Sequence, residues 1–229
     1  MPIARHYDDA CGIARALDVI GDRWALLVVR ELIFGPKRFL QLRGGLHGIS
    51  PNVLSQRLRE LEDAGLVRRD VLEPPASVAV YELTARGRAL EPVLLELGRW
   101  GSQEPVTTAR ELSVSALLVA LKTVFDPAAA VDAVYGLRVD GQWFRLAVTG
   151  QSIDITAGRP PERGRARSAG AGQAEPTVTF DTDAATLRAV AFGREPVAEA
   201  QREGRLAVHG DQDAAERFPR MFPVPGPRG

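Results

Sequence analysis

The residues whose types and spacing invite chemistry lie between Ser50 and Arg69. In SPNVLSQRLRELEDAGLVRR, Leu54, Leu58 and Leu61 recur at i, i+4 and i+7, which puts them on one side of a helix. Asn52, Gln56 and Arg59 fall on the other side, flanked by Ser55 and Arg57. An Asn or Gln amide pairs a donor with an acceptor and so matches an adenine edge, and a guanidinium matches guanine. Lys37, Arg38, Arg68 and Arg69 lie close enough in sequence to hold phosphates, and Ser50 supplies a hydroxyl at the helix start. A solvated face of any amphipathic helix would show the same pattern. Local charge separates the two readings: Arg23 to Arg69 holds nine basic residues against four acidic ones, while the whole chain carries equal numbers of each. Asp63, on the same face, opposes phosphate but sits at the far end of the helix.

Those side chains need a scaffold, and the flanking residues supply one. Residues 10 to 21 (ACGIARALDVIG) carry Ile13, Leu17 and Ile20 at helical spacing, with Gly21 as a stop. Residues 23 to 34 (RWALLVVRELIF) form a more apolar helix ended by Gly35-Pro36. KRFLQLRGGL is a short third helix closed by Gly44-Gly45. Ser50 caps the fourth, Pro51 occupies its first turn, and Gly65 ends it. LVRRDVLE and SVAVYELT read as two strands, with Pro74-Pro75 in the turn between them. Thr84 caps a fifth helix over 85 to 103, carrying Leu90, Val93, Leu94, Leu97 and Trp100. Two short helices joined by a Gly-containing turn, then a hairpin, make a helix-turn-helix followed by a wing.

Bulk numbers bound what else the chain can be. It has 229 residues, 45% apolar and 25% charged, an ordinary globular composition. Its single cysteine, Cys11, excludes an intrachain disulfide and fits a reducing compartment. No apolar run is long enough to span a bilayer, and MPIARHYDDACG lacks the apolar segment of a signal peptide, so a cytoplasmic protein without a membrane partner is expected. No acid–base pair, metal-ligand cluster or phosphate loop stands out, and His209 is the sole histidine of the second half. The chain is read as a non-enzyme with no cofactor and no metal.

The residues from 10 to 103 resemble the HxlR family of bacterial winged-helix transcription regulators. The resemblance rests on the cysteine near the N-terminus, DRWALL, GPKRFLQL, GISPNVLSQRLRELEDAGLVRR, the Pro-Pro before the second wing strand, YELTARG and the late Trp100. It implies a homodimer that binds double-stranded DNA at a near-palindromic operator. It also implies dimer contacts from the first and last helices, here Ile13, Leu17, Val93, Leu94, Leu97 and Trp100. Some members sense oxidants through a cysteine at the position of Cys11, which makes it a redox candidate. A helix N-terminus favours the thiolate that such chemistry needs, and Asp8 and Asp9 oppose it. Two features depart from the family pattern. Gly12 stands where the family often has Pro, and no Arg or Lys lies between Pro75 and Tyr81. Arg68 and Arg69 at the wing's base are therefore the better phosphate ligands.

After the polar stretch SQEPVTTARELS the pattern changes. SVSALLVALKTVF is an amphipathic helix, and YGLRVDGQWFRLAVTGQSIDITAG alternates strands with Asp-Gly and Thr-Gly turns, an antiparallel meander. GRPPERGRARSAGAGQAEP is a loop. A strand, cap and helix follow in TVTFDTDAATLRAVAFG, then a strand, turn and terminal helix in GRLAVHGDQDAAERFPRMF. The order, with YGLRVDGQWFRLAV, PTVTFDTDAATLRAVAFG and FPRMF, resembles the SCP2-like (sterol carrier protein 2-like) domain. That resemblance implies an apolar cavity between sheet and helices for a hydrophobic small molecule. The expected lining is Leu117, Leu121, Phe125, Trp143, Leu146, Leu187, Val190, Phe192 and Phe222, each of which also fits a plain core.

The chain is thus expected to be α+β. A winged helix-turn-helix domain spans 1–105, and an SCP2-like domain with an antiparallel sheet spans 112–225. The expected function is a homodimeric repressor controlled by a hydrophobic small-molecule effector. Two alternatives stay open: a second domain that serves only dimerisation, and a lipid carrier or scaffold whose helix-turn-helix no longer reads DNA.

Overall fold

The computed structural model describes residues 7–71, 78–158 and 175–223. The chain divides into two compact units, Met1–Leu94 and Leu95–Gly229. No helix among the described residues is long and apolar enough to cross a membrane.

The first unit begins with α1 (Gly12–Ile20), α2 (Ala25–Leu32), α3 (Phe39–Gly45) and α4 (Pro51–Asp63). The strands β1 (Val67–Val71) and β2 (Ala79–Leu83) then pair antiparallel, from Val67 opposite Leu83 to Val71 opposite Ala79. The Pro74-Pro75 turn and the wing-tip residues up to 77 lie outside the described residues. Leu54, Leu58 and Leu61 of α4 are buried with Val28, Val29 and Leu32 of α2, Leu42 of α3, and Leu66, Val67 and Leu83 of the hairpin. Each such leucine contributes about 1.5–3 kcal/mol on leaving water, so the stripe fixes which side of α4 faces out.

Both ends of α4 are set by local chemistry. The Ser50 hydroxyl accepts from the Val53 N–H at 3.3 Å, and Pro51 needs no partner for the N–H it lacks. At the other end Gly65 takes φ = 67°, its N–H donates to Glu62 O, and Leu66 N–H donates to Leu61 O. This pair of bonds closes the helix and sends the chain into β1. Thr84 joins the same region: its hydroxyl donates to Gly65 O at 2.7 Å and accepts from Gly87 N–H at 3.1 Å.

The helix expected over 85 to 103 is two helices, α5 (Ala85–Arg88) and α6 (Glu91–Gly101), the second reaching past the boundary of the first unit. Pro92 is the cause. Without an N–H it cannot bond back one turn, and its ring clashes with the carbonyl there, so the helix restarts around it.

The second unit holds α7 (Val114–Val124), β3 (Ala133–Val139), β4 (Gln142–Thr149), β5 (Ser152–Ala157), β6 (Val178–Thr182), α8 (Ala184–Ala191), α9 (Val197–Arg202), β7 (Leu206–Gly210) and α10 (Gln212–Arg217), with 3₁₀ turns at Pro127–Ala129 and Phe218–Met221. Its sheet runs β5-β4-β3-β6-β7. The expected antiparallel sheet is corrected to a mixed one, because β6 pairs parallel to β3, from Tyr135 opposite Val178 to Val139 opposite Thr182. The link from β5 to β6 is long enough for the crossover that a parallel neighbour requires. Residues 159–174 of that link, most of the loop expected over 158–176, lie outside the described residues. The inner sheet face packs an aromatic cluster in which Phe218 stands edge-on to Tyr135 at 5.1 Å and to Phe180 at 5.0 Å.

Candidate nucleic-acid interface

With its leucines committed, α4 presents Asn52, Gln56 and Arg59 to solvent, while Ser55 and Arg57 are half-buried. Ser50 is exposed, but its oxygen is engaged as the cap. Glu60, which the sequence reading left aside, organises this face. One of its oxygens accepts from Gln56 Nε2 at 2.9 Å, and the other pairs with Arg57. Arg57 also pairs with Asp22, in the turn between α1 and α2. Spacing could have signalled the first two contacts, since residues three and four apart meet on a helix. The Asp22 contact is tertiary and leaves no such mark.

The expected phosphate ligands are placed unevenly. Arg38 and Arg69 are exposed. Arg68 pairs with Glu82, its cross-strand neighbour. Lys37 is engaged instead, its Nζ donating at 2.8 Å to Glu31, a carboxylate of α2 that is fully buried. Arg30 donates to the other oxygen of Glu31 at 2.9 Å. Sequence reasoning missed Glu31 because it falls within the apolar helix RWALLVVRELIF.

Of the six expected dimer residues, Ile13 (73% exposed) and Leu17 (42%) share one side of α1 at i, i+4 spacing, and Val93 (47%), Leu97 (47%) and Trp100 (67%) share one side of α6. Leu94 is corrected. It is only 7% exposed and belongs to the core of the first unit, because one residue along a helix turns the side chain by about 100°. Cys11 is exposed and flanks the N-terminus of α1, and its N–H donates to Asp9 Oδ1 at 2.8 Å.

In the second unit Leu117, Leu121, Leu146, Leu187, Val190 and Phe222 are at most 1% exposed, and Phe125 and Phe192 are half-buried. Phe222 packs against Phe218 and Phe125 at centroid distances of 5.0 and 6.3 Å. Trp143 does not join them. Phe144, Leu146 and Val148 face the core, so by alternation Trp143 stands on the opposite face of the sheet. There its indole covers Gly136, where a β-carbon would collide with the ring. A pocket of about 390 Å³ lies elsewhere in this unit, lined by Gly193, Glu195, Pro196, Val197, Ala198, Glu216 and Pro219. None of the nine expected lining residues borders it. Beside it Arg205 bridges Glu195 and Glu203, and its hydrogen bond holds the Glu195 carboxyl below the usual range.

The HxlR-like helix-turn-helix family matches residues 19–107. YvaP of Bacillus subtilis, an uncharacterized HTH-type transcriptional regulator, is 41% identical over 90 residues, which are 39% of this chain and 82% of YvaP. YodB of the same organism, an HTH-type transcriptional regulator, is 38% identical over 98 residues, 42% of this chain and 88% of YodB. The solved reduced form of YodB aligns at a TM-score of 0.38 with 35% identity, over 42% of this chain and 94% of that one.

Proposed function

The chain belongs to the HxlR-like helix-turn-helix family, and from that premise we propose that it is a homodimeric DNA-binding transcription regulator, a repressor acting on a near-palindromic operator. The observation that carries this reading is the polarity of α4: three leucines hold it to the core, and Asn52, Gln56 and Arg59 are left exposed. Those are the side chains that match base edges in a major groove. Arg38 and Arg69 supply phosphate contacts, and Arg57 and Arg68 join them when phosphate displaces their carboxylate partners. The apolar sides of α1 and α6 supply the dimer contacts, through Ile13, Leu17, Val93, Leu97 and Trp100. A dimer is needed because each half-site lies about 34 Å from the next. The winged-helix domain of this reading is 1–105.

The test is N52A and R59A, each assayed on a duplex selected by the wild-type chain from a random pool. Each variant is expected to lose about 1–3 kcal/mol of preference for that duplex over unrelated DNA, with the melting temperature kept. Unchanged preference in both sinks the reading.

In the same reading residues 112–225 are an SCP2-like domain that binds a hydrophobic effector and shifts the spacing of the two recognition helices. Support for it is the residue pattern of that half. The burial of six of the nine expected lining residues fits a packed core as well as a closed cavity, and a packed core leads to a second reading, in which this half serves only dimerisation. A panel of apolar ligands separates the two: the effector reading requires one that changes DNA affinity. Cys11, exposed beside α1, is the residue through which an oxidant would act.

A further inference from the structure

Glu31 is a carboxylate where the pattern of α2 asks for an apolar side chain. Its neighbours Val28, Val29 and Leu32 are all buried, and it is itself fully buried. It meets groups from at least three places. Its Oε1 accepts from Arg30 on α2 itself at 2.9 Å. Its Oε2 accepts from Lys37 at 2.8 Å, and Lys37 lies in the link between α2 and α3. The backbone of Lys37 is bonded in both directions to Tyr81 of β2, at 2.9 Å each way, so this link is tied to the wing. The third neighbour is the end of α3. A β-carbon on Gly45 would collide with the Glu31 carboxylate, so the carboxylate fills the space that the glycine leaves open. Arg30 also reaches the Gly45 carbonyl at 3.5 Å. The turn that leads into α4 starts one residue later.

One carboxylate therefore links α2, the wing through Lys37, and the end of α3 beside the turn into α4. A buried ion pair is a poor source of net stability, because desolvating the charges offsets their attraction, and an apolar substitute often serves as well. What it does supply is direction, since charge-assisted hydrogen bonds are short and angular. We infer that Glu31 is a positioning residue for DNA reading: with Lys37 and Gly45 it sets α4 at a fixed angle to the wing, so that base contacts and phosphate contacts fall in register. Lys37 then acts inside the protein and not on phosphate. The inference rests on the DNA-reading proposal above for its consequence, and on contacts within the first unit for its geometry.

Two glycines give a contrast that separates this role from helix propensity. Gly44 and Gly45 are adjacent in the last turn of α3, and a β-carbon at Gly44 meets nothing within 4 Å. Alanine favours a helix equally at both. The experiment uses the full chain with G44A, G45A and the double variant E31Q/K37M, and a melt establishes that each is folded. Affinities are measured for a duplex selected by the wild-type chain and for an unrelated duplex, across a salt series. Amide hydrogen exchange is followed at Leu46 and Ile49, which bond to Arg43 O and Leu46 O in the turn.

G45A and E31Q/K37M are expected to lose about tenfold in preference for the selected duplex, the loss of one base contact. Their exchange at Leu46 and Ile49 is expected to speed up, while G44A matches wild type in both. The salt slope of E31Q/K37M is expected to stay that of wild type. A slope lower by about one would make Lys37 a phosphate ligand and overturn the inference. So would a G45A indistinguishable from G44A, or an E31Q/K37M that melts earlier with preference and exchange unchanged. If the wild-type chain selects no sequence at all, the DNA-reading proposal fails by itself, and exchange then decides whether the clamp orders the turn.

Discussion

The Gln56 side-chain amide donates to the Glu60 carboxylate at 2.9 Å, one turn further along the same helix. One hydrogen of its N–H₂ group is thereby engaged, which leaves the second hydrogen and the carbonyl oxygen. In the DNA-free protein this residue therefore keeps a donor and an acceptor, the pair that matches N7 and N6 on the major-groove edge of adenine. Glu60 also holds Arg57, so one carboxylate restrains two of the side chains proposed to read or hold DNA.

Replacing Glu60 with Ala frees both and removes a negative charge from the face. E60A is expected to bind every duplex roughly three- to tenfold more tightly at low salt, with the gain shrinking as salt rises. It is also expected to discriminate less between duplexes. Fluorescence anisotropy on selected and unrelated duplexes over a salt series checks this; tighter binding confined to the selected duplex would contradict it.

The exposed side of α6 gives a second expectation. An aspartate at Leu97 places a charge among Val93, Leu97 and Trp100, where a dimer would desolvate it. L97D is expected to halve the mass measured by light scattering and to leave the chain folded, because Leu97 is already exposed. A wild-type chain that is itself monomeric would remove the dimer from the proposal.

Cys11 makes a third. Oxidation is expected to produce a dimer band on a non-reducing gel, because the chain has one thiol and a disulfide must join two copies. C11S is expected to abolish the band and any change in DNA binding that accompanies it. An oxidant effect that persists in C11S excludes the thiol.

Tyr135 provides a pH signature for the second unit. Its hydroxyl is buried and donates to Ala214 O at 3.4 Å, and burial raises its pKa above the ordinary tyrosine value. The folded value lies above the unfolded one, so the stability it contributes is complete below about pH 10 and is lost as pH climbs through the folded value. In that window the loss is about 1.4 kcal/mol per pH unit. Urea titrations at rising pH are expected to show this fall in wild type and not in Y135F. Equal alkaline sensitivity in both would assign the fall to other groups.

What the sequence made legible follows from periodicity. Leu54, Leu58 and Leu61 announced their buried side because a 3.6-residue repeat leaves little choice, and Ser50, Pro51 and Gly65 marked the ends of α4. The two strands of the hairpin were marked by their β-branched residues. Glu31 was illegible because, apart from its neighbour Arg30, the groups it meets come from the next link and from α3. Leu94 was not separable by the resemblance that groups it with Val93 and Leu97; one residue from Val93, it is turned by about 100° into the core. Trp143 and Leu146 stand three apart in a strand, and that odd spacing already puts them on opposite faces. Helix α9, six residues long with only Val197 and Ala200 buried, offers too short a repeat to detect.

The sheet of the second unit consists of two antiparallel parts, β5-β4-β3 and β6-β7, joined by one parallel ladder between β3 and β6. The part β5-β4-β3 can form from residues close in sequence, whereas β6 and β7 meet across two helices and the parallel ladder needs strands about forty residues apart, a closure that is slow. This junction is expected to form last as the unit folds. A nascent chain that stops before β6 leaves β3 with a bare hydrogen-bonding edge, a template for aggregation, until the last third of the unit has been made.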